Sequence, residues 1–428
     1  MNRETIKRVY FIGIGGIGMS ALARLFLHEG KKVSGSDRAS SAITDALKKE
    51  GVQFFSSQAA ENITDDIDMV VYTEAMPKDH PEMAAAQKLG VPMMNYFEVL
   101  GKVANEYYLI AVAGTHGKTT TTAMLIDIFE DADLDPTAIV GSLRSKTQSN
   151  FRAGKSRYMI VEACEYKRDF LHLEPDVLVI TNIEAEHLDY YKDLADVQAA
   201  FHELARKVPE NGVVIYNKTD EQVAPVVEGV SAQLVDYRES FDLNLPLLQP
   251  GMHNRMNAAA AIAAAAFCGV DPKDAKKSLV QFKGTWRRFE YKGEASGAKV
   301  YDDYGHHPTE IHATLAGARE LHPDKHIVLV YQPHLDSRTE ALFEDFVTEL
   351  GKADTLILTP AYVAREVGGS HDSTKKLAEA ISKTHQGVEY IEDLEAISGR
   401  LRGAVSEKYV VLVMGAGDIT KVASELTE

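Results

Sequence analysis

Two kinds of block alternate along this chain. Short runs at Val9–Ile12, Lys32–Ser34, Met69–Thr73 and Val91–Met93 have the length of buried strands. Between them, Ile17–His28, Ser41–Lys49 and Pro81–Leu89 carry apolar residues at helical spacing. A second series opens at Tyr108–Ala113 and continues through Tyr158–Glu162, Val177–Thr181 and Val213–Tyr216. A third begins near Thr285, with strands at Lys299–Asp302, Ile327–Tyr331, Thr355–Leu358 and Val410–Met414. Strands alternating with helices predict parallel sheets joined by right-handed crossovers. At 428 residues the chain exceeds what one core supports. The expectation is an α/β protein of three units in series: 1–106, 107–284 and 285–428. The alanine-rich run Asn257–Phe267 predicts a closely packed helix, with Gly269 placed to end it.

The turns at the strand ends carry the chemistry. Tyr108–Ala113 feeds the turn Gly114-Thr115-His116-Gly117-Lys118-Thr119-Thr120, which opens a long helix. Backbone N–H groups in such a turn converge, and the helix N-terminus adds partial positive charge. Lys118 suits β- and γ-phosphates, and the Thr119 hydroxyl suits Mg²⁺. Val112 stands where the usual phosphate loop begins with glycine. The bland alternative is a strand–turn–helix joint with a surface lysine.

Upstream, Gly13-Ile14-Gly15-Gly16-Ile17-Gly18 fits G-x-G-x-x-G after a strand and before a helix, with Asp37 ending the next strand and Thr73 a third. The glycines allow close approach to a pyrophosphate, and the carboxylate can take ribose hydroxyls. A dinucleotide, a UDP-sugar and an unliganded tight turn all satisfy that pattern. Glu162 and His187 each follow an apolar strand, on the side where ligands bind in open α/β sheets. With Thr119 they can converge on Mg²⁺, although an imidazole is an unusual Mg²⁺ ligand and a loop histidine is the plain reading. Glu165 and Glu184 read as solvated or supporting carboxylates.

His253-Asn254-Arg-Met-Asn257 offers two amides one helical turn apart, suited to an adenine edge or simply to a helix cap. Arg287-Arg288-Phe289 offers guanidinium groups suited to phosphate or carboxylate. Tyr301-Asp302-Asp303-Tyr304-Gly305-His306-His307-Pro308, Gln332-Pro333-His334-Leu335-Asp336-Ser337-Arg338 and Gly415-Ala-Gly417-Asp418 follow three strands and fall on one predicted sheet edge.

Composition narrows the partners. A net charge of −17 argues against nucleic acid, whose phosphates need clustered Lys and Arg. Two cysteines, Cys164 and Cys268, make neither a disulfide framework nor a metal knuckle and suit a reducing cytoplasm. No apolar stretch reaches the roughly 20 residues of a membrane span, and the N-terminus has no signal-peptide core. A soluble cytoplasmic protein is expected, with no membrane partner and as monomer or homodimer.

Taken in order, the chain resembles the Mur ligase family. The markers are Gly13–Gly18, Gly114–Thr120, Glu162, Thr181-Asn-Ile-Glu with His187, His253-Asn-x-x-Asn257, Arg287-Arg-Phe, Asp302–Pro308 and Met414-Gly-Ala-Gly-Asp418. The resemblance implies three domains: an N-terminal Rossmann-like domain for a UDP-sugar, a central P-loop ATPase and a C-terminal Rossmann-like domain for an amino acid. It implies a ligase using ATP and Mg²⁺ to join L-alanine, or a similar small amino acid, to UDP-N-acetylmuramate through an acyl phosphate. It carries Gly13–Gly18, Asp37 and Thr73 to the UDP-sugar. Gly114–Thr120, His253, Asn254, Asn257 and Arg288 go to ATP, and Thr119, Glu162 and His187 to the metal. Lys118, His187, Arg288, Asp303 and His307 carry over as catalytic residues, with Tyr304, His307 and Arg338 at the amino acid. The base for the amine stays open between His307 and a nearby carboxylate. The alanine-adding branch has Arg-Tyr where this chain has Leu335-Asp336, and acids where it has Cys164 and Lys167. Three rivals stand beside this reading: a sister ligase attaching a recycled tripeptide, a nicotinamide-dependent dehydrogenase built on Gly13–Gly18, and a nucleotide-gated protein that binds UDP-sugar without turnover.

Overall fold

The computed structural model describes residues 3–77, 79–187, 189–362 and 372–428. The first sheet uses β1 (Arg8–Ile12), β2 (Lys32–Ser36), β3 (Gln53–Phe55), β4 (Met69–Tyr72) and β5 (Met93–Asn95). All pairs are parallel, in the order β3-β2-β1-β4-β5. The strand order reverses beside β1, so the turn that follows β1 opens onto the crevice where such sheets bind ligands.

The second sheet uses β6 (Tyr108–Ala113), β7 (Thr137–Arg144), β8 (Ser149–Arg152), β9 (Tyr158–Glu162), β10 (Val177–Ile180), β11 (Val213–Tyr216) and β12 (Gln233–Asp236). Its order is β12-β11-β10-β6-β9-β7-β8, with β6 at the centre and only β7–β8 antiparallel. The third comprises β13 (Glu290–Ala295), β14 (Ala298–Asp303), β15 (His326–Tyr331), β16 (Thr355–Leu358), β17 (Val388–Tyr390) and β18 (Tyr409–Met414), in the order β13-β14-β18-β15-β16-β17. Here β13 pairs antiparallel with β14 as the edge. The central strands are apolar throughout because helices cover both faces.

The chain divides into two compact units, one of residues 1–245 and 256–282, the other of 246–255 and 283–428. The first two sheets lie in the first unit and the third sheet in the second. Several elements depart from the expected pattern. The strand expected at Val91–Met93 is Met93–Asn95, followed at once by a helix, Tyr96–Ala104, that Asn95 and Glu98 cap reciprocally. The β7–β8 hairpin and the β13 edge add antiparallel pairs to sheets expected to be wholly parallel. The alanine-rich helix begins at Met252, before the alanines, and its alanine face is buried.

Beneath the first sheet, Glu82 is fully buried yet fully used. Its carboxylate accepts from the Tyr10 hydroxyl (2.6 Å), the Ser36 hydroxyl (2.6 Å) and the Asn62 amide (2.7 Å). Burial, and next Glu82, push the Tyr10 pKa well above its ordinary value. A charge without water is tolerated only with such partners. Replacing Glu82 with Ala strands the Tyr10 and Ser36 hydroxyls in an apolar interior, while Asn62 keeps the Ser57 carbonyl. The expected loss is about 2–4 kcal/mol, read as a lower urea midpoint by circular dichroism.

Candidate functional site

The first sheet places its glycine turn against two other strand ends. Gly13 has φ +82°, and a Cβ there would lie 2.7 Å from the Thr73 methyl. Gly15 donates its N–H to Asp37 Oδ2 at 2.8 Å. Asp37 Oδ1 accepts from the N–H of its neighbour Arg38 at 2.7 Å, so Oδ2 alone braces the glycine turn. Gly13 and Ile14 both donate to the Ser36 carbonyl. Gly18 sits on the Tyr96 ring, which would be 2.7 Å from a Cβ.

In the second sheet, the turn after β6 is held from both sides by residues following β10. His116 donates its N–H to Asn182 Oδ1 at 2.9 Å, and its carbonyl accepts from Asn182 Nδ2 (3.0 Å) and the Thr181 hydroxyl (2.6 Å). The Thr115 hydroxyl accepts from the Glu184 N–H at 2.8 Å. Gly117 faces the Asn257 side chain, whose Oδ1 would be 2.3 Å from a Cβ. Asn257 therefore lies over the turn. Asn254 donates instead to the Pro250 carbonyl at 2.9 Å. Since the helix starts at Met252, neither amide is its N-cap.

Lys118 folds back over the turn. Its ammonium donates to the carbonyls of Gly114 and Thr115 and to Glu165, whose two oxygens stand 3.0 and 2.9 Å away. Burial alone would lower the Lys118 pKa, but Glu165, Cys164 and Glu162 together outweigh it and hold the value above that of an ordinary lysine. Burial pushes Glu165 the other way, and Lys118 with His187 brings its carboxyl below the ordinary value. Glu165, expected to be solvated or supporting, is buried at the centre of the cluster. Lys118 is correspondingly no surface lysine.

Thr119 donates its hydroxyl to Glu162 Oε1 at 2.9 Å. Glu162 Oε2 accepts from the Gly141 N–H at 2.8 Å, and a Cβ at Gly141 would lie 2.5 Å from that oxygen. A hydroxyl and a carboxylate are the hard oxygen donors that Mg²⁺ takes, so this pair fits the ion. His187, at φ +57°, is placed beside Glu165, with 3.6 Å between Nε2 and Oε1, and its ring packs on Tyr166. Cys164 is half-buried next to these groups, its thiol pushed up to about 12 by desolvation and next by Glu165. Lys167 stands 3.6 Å from Glu74.

The second unit gathers its chemistry at the ends of β14, β15 and β18, which are neighbours in the sheet. Arg287 is buried and structural: it donates to the carbonyls of Gly415 and Gly417 and lies 3.4 Å from buried Asp302. Arg288 is half-buried over Tyr304, 3.5 Å from Glu310. Asp303 accepts the N–H groups of Phe289 and Gly305, at 2.8 and 2.7 Å, and burial pushes its carboxyl up to about 6 against the pull of Arg288. His307 caps the helix Pro308–Leu321, with Nδ1 accepting the Thr309 N–H at 3.3 Å. Burial lowers the His253 imidazole to about 4. Arg338 reaches His334 at 3.2 Å, and His334 stacks on Tyr362 and meets His306.

Glu165, read as solvated or supporting, is buried against Lys118. Two contributors escaped the sequence reading: Asn182 was read only as part of a marker, and Gly141 sits in a strand that was not anticipated. A glycine inside a strand marks a close approach, and that is the signal that would have found it.

Family models match three stretches: "Mur ligase family, catalytic domain" over residues 8–108, "Mur ligase middle domain" over 112–240 and "Mur ligase, glutamate ligase domain" over 287–417. The chain is 40% identical to the UDP-N-acetylmuramate–L-alanine ligase of Clostridium kluyveri, across 97% of each. Its fold is similar to the solved UDP-N-acetylmuramate-alanine ligase of Thermotoga maritima, with TM-score 0.82, 29% identity and 98% of both chains covered. A murein peptide ligase from Psychrobacter arcticus has the same fold at TM-score 0.72 and 23% identity, again over 98% of both.

Gly141→Ala puts a methyl where the Glu162 carboxylate lies and turns that flexible side chain aside. Affinity for Mg²⁺–ADP is expected to fall about 10- to 100-fold, the usual effect of losing a partner that orients a ligand. Calorimetric titration, with circular dichroism to verify the fold, measures it.

Proposed function

The chain belongs to the Mur ligase family, and from that premise we propose that it joins L-alanine to UDP-N-acetylmuramate at the expense of ATP. The observation that carries this is Thr119 on Glu162 beside the half-buried Lys118, in a chain matching an alanine-adding ligase over 97% of its length. In this reading residues 1–106 hold the UDP-sugar, 107–284 hold Mg²⁺–ATP and 285–428 hold the amino acid. The reaction belongs to the making of peptidoglycan precursors and takes place in the cytoplasm.

A carboxylate is a poor acyl donor because oxide does not leave. Transfer of the γ-phosphoryl to a carboxylate oxygen breaks the β–γ bridge, releases ADP and gives an acyl phosphate. The amine then attacks the acyl carbon, phosphate departs and an amide remains. Lys118 and the loop N–H groups bind and orient the phosphates, and positioning with charge neutralisation is most of phosphoryl-transfer catalysis. Thr119 and Glu162 would hold Mg²⁺, with His187 standing beside Glu165. When bound, the ion screens the charge that builds on the phosphate oxygens.

On the second unit, Arg288 is read toward the nucleotide, and Tyr304, His307 and Arg338 toward the amino acid. The attacking amine must lose a proton. His307 accepts the Thr309 N–H at Nδ1, so that nitrogen is committed to the helix cap. Asp303, raised to about 6, is the carboxylate near it in sequence with a value suited to a base at neutral pH. Of the two groups left open, the carboxylate is favoured. The nicotinamide rival leaves Lys118, Thr119 and Glu162 without a task.

Phosphate release from ATP with UDP-N-acetylmuramate, scanned over single amino acids and the tripeptide, tests the assignment. Turnover with alanine is expected, and turnover with the tripeptide alone defeats it. Lys118→Ala should cut turnover by about 10²–10³-fold while leaving the UDP-sugar Kd, measured by calorimetry, within about twofold. Gly15→Val should do the reverse at the level of binding, because a Cβ there would meet Asp37 Oδ2 at 2.8 Å. UDP-sugar affinity drops and ADP affinity holds; the opposite pattern means the two sites are exchanged.

A further inference from the structure

The phosphate loop is backed by a carboxylate to which the proposed reaction gives no task. Glu165 places both oxygens against Lys118 Nζ, at 3.0 and 2.9 Å, and its side chain is 3% exposed. The carbonyls of Gly114 and Thr115 take the other donors of the same ammonium. An ammonium has three donors, and here all three are directed at the protein. The place an incoming phosphoryl oxygen needs at this lysine is held by an anion of the chain itself.

Glu165 is also built in rather than draped over the site. The Tyr191 hydroxyl donates to its backbone carbonyl, and the Arg168 N–H donates to that same carbonyl at 2.9 Å. On its far side, His187 Nε2 stands 3.6 Å from Oε1. The carboxylate thus has a second nitrogen partner within a short swing.

We propose that Glu165 is a positioning residue that competes with nucleotide phosphate for Lys118. It keeps the lysine folded on the loop until phosphate arrives, then yields it and turns toward His187. The inference rests on the nucleotide-binding reading above. Its physical content is a population argument. A ligand that must first break a protein–protein contact binds with an affinity reduced by the fraction of molecules in which that contact is open. Removing the charge of Glu165 opens the contact and strengthens binding. Damage to the site would weaken it.

The test is calorimetric titration of ADP into the full-length protein and its Glu165→Gln variant, with UDP-N-acetylmuramate affinity and thermal midpoint measured alongside. The ADP Kd is expected to fall about tenfold in the variant, about 1.4 kcal/mol by the usual conversion, with the UDP-sugar Kd within about twofold of wild type. In a Lys118→Met background the same substitution should leave the ADP Kd unchanged, because competition needs the lysine. Equal or weaker ADP binding by a folded Glu165→Gln overturns the proposal. So does the same gain without Lys118. Should Glu165→Gln not fold, Glu165→Asp replaces it: its shorter arm is expected to give a smaller gain, and no gain is refutation. Wild-type protein that binds no ADP overturns the nucleotide-binding reading and this inference with it, whereas wild-type binding without a gain in the variant overturns this inference alone.

Discussion

A charged side chain leaves water only where oriented partners replace the solvent, and this constraint organises the strand ends of all three sheets. Behind the first glycine turn, Glu82 gathers three donors, one of them Ser36, whose carbonyl in turn receives Gly13 and Ile14. In the second turn, Lys118 and Glu165 neutralise each other across a span of 47 residues. At the end of β18, Arg287 holds the carbonyls of Gly415 and Gly417 while lying against Asp302. Each turn is therefore shaped by a buried charge as well as by its glycines. A turn with such backing presents its N–H groups in one arrangement, and this is the preorganisation that anion binding and phosphoryl transfer need.

The legible part of the fold was the part that periodicity controls. Strands buried on both faces, such as Ile110–Ala113 and Val410–Met414, are continuous apolar runs, and helices between them repeat at helical spacing. The illegible strands lie at sheet edges or are short. β3, β12, β13 and β17 are half-buried or mixed, so their residues carry no strong period. The β7–β8 hairpin escaped for another reason: its first strand contains Gly141 and its turn has no Asn-Gly signature. The helix at Tyr96 was hidden because its cap, Asn95, is also the last residue of a strand.

The site divides in the same way. Residues inside a motif could be named from spacing, since a phosphate loop is a local object. Thr119 with Glu162 needed only the rule that strand C-termini face the ligand. Glu165 could not be read so. Its position, three residues beyond Glu162, does not reveal whether the chain turns inward or outward, and two consecutive residues in left-handed conformation, Lys167 and Arg168, make the turn that follows it. Arg287 and Arg288 illustrate the same limit. Adjacent in sequence, one is a buried strut and the other half-exposed, and only the packing of β14 and β18 separates them.

The segment that departs most from the alanine-adding pattern is a case where frame and side chains separate. Leu335 has φ +69°, a conformation that costs an apolar L-residue roughly 1–3 kcal/mol and persists only when its surroundings impose it. The imposing contacts are Leu335 N–H to the Tyr362 carbonyl at 3.2 Å, Tyr362 N–H to the Pro333 carbonyl at 2.8 Å, and the Thr339 N–H and hydroxyl to the Leu335 carbonyl at 3.3 and 3.0 Å. None of these depends on the side chain at 335 or 336. The frame that carries His334 and Arg338 is thus indifferent to the exchange of Arg-Tyr for Leu-Asp, and Asp336 spends its charge on the Ser373 hydroxyl. Loss of one arginine here changes the local charge without moving the groups that would grip an amino-acid carboxylate. Arg338, which the proposed function turns toward the amino acid, keeps its contact with His334 on this frame.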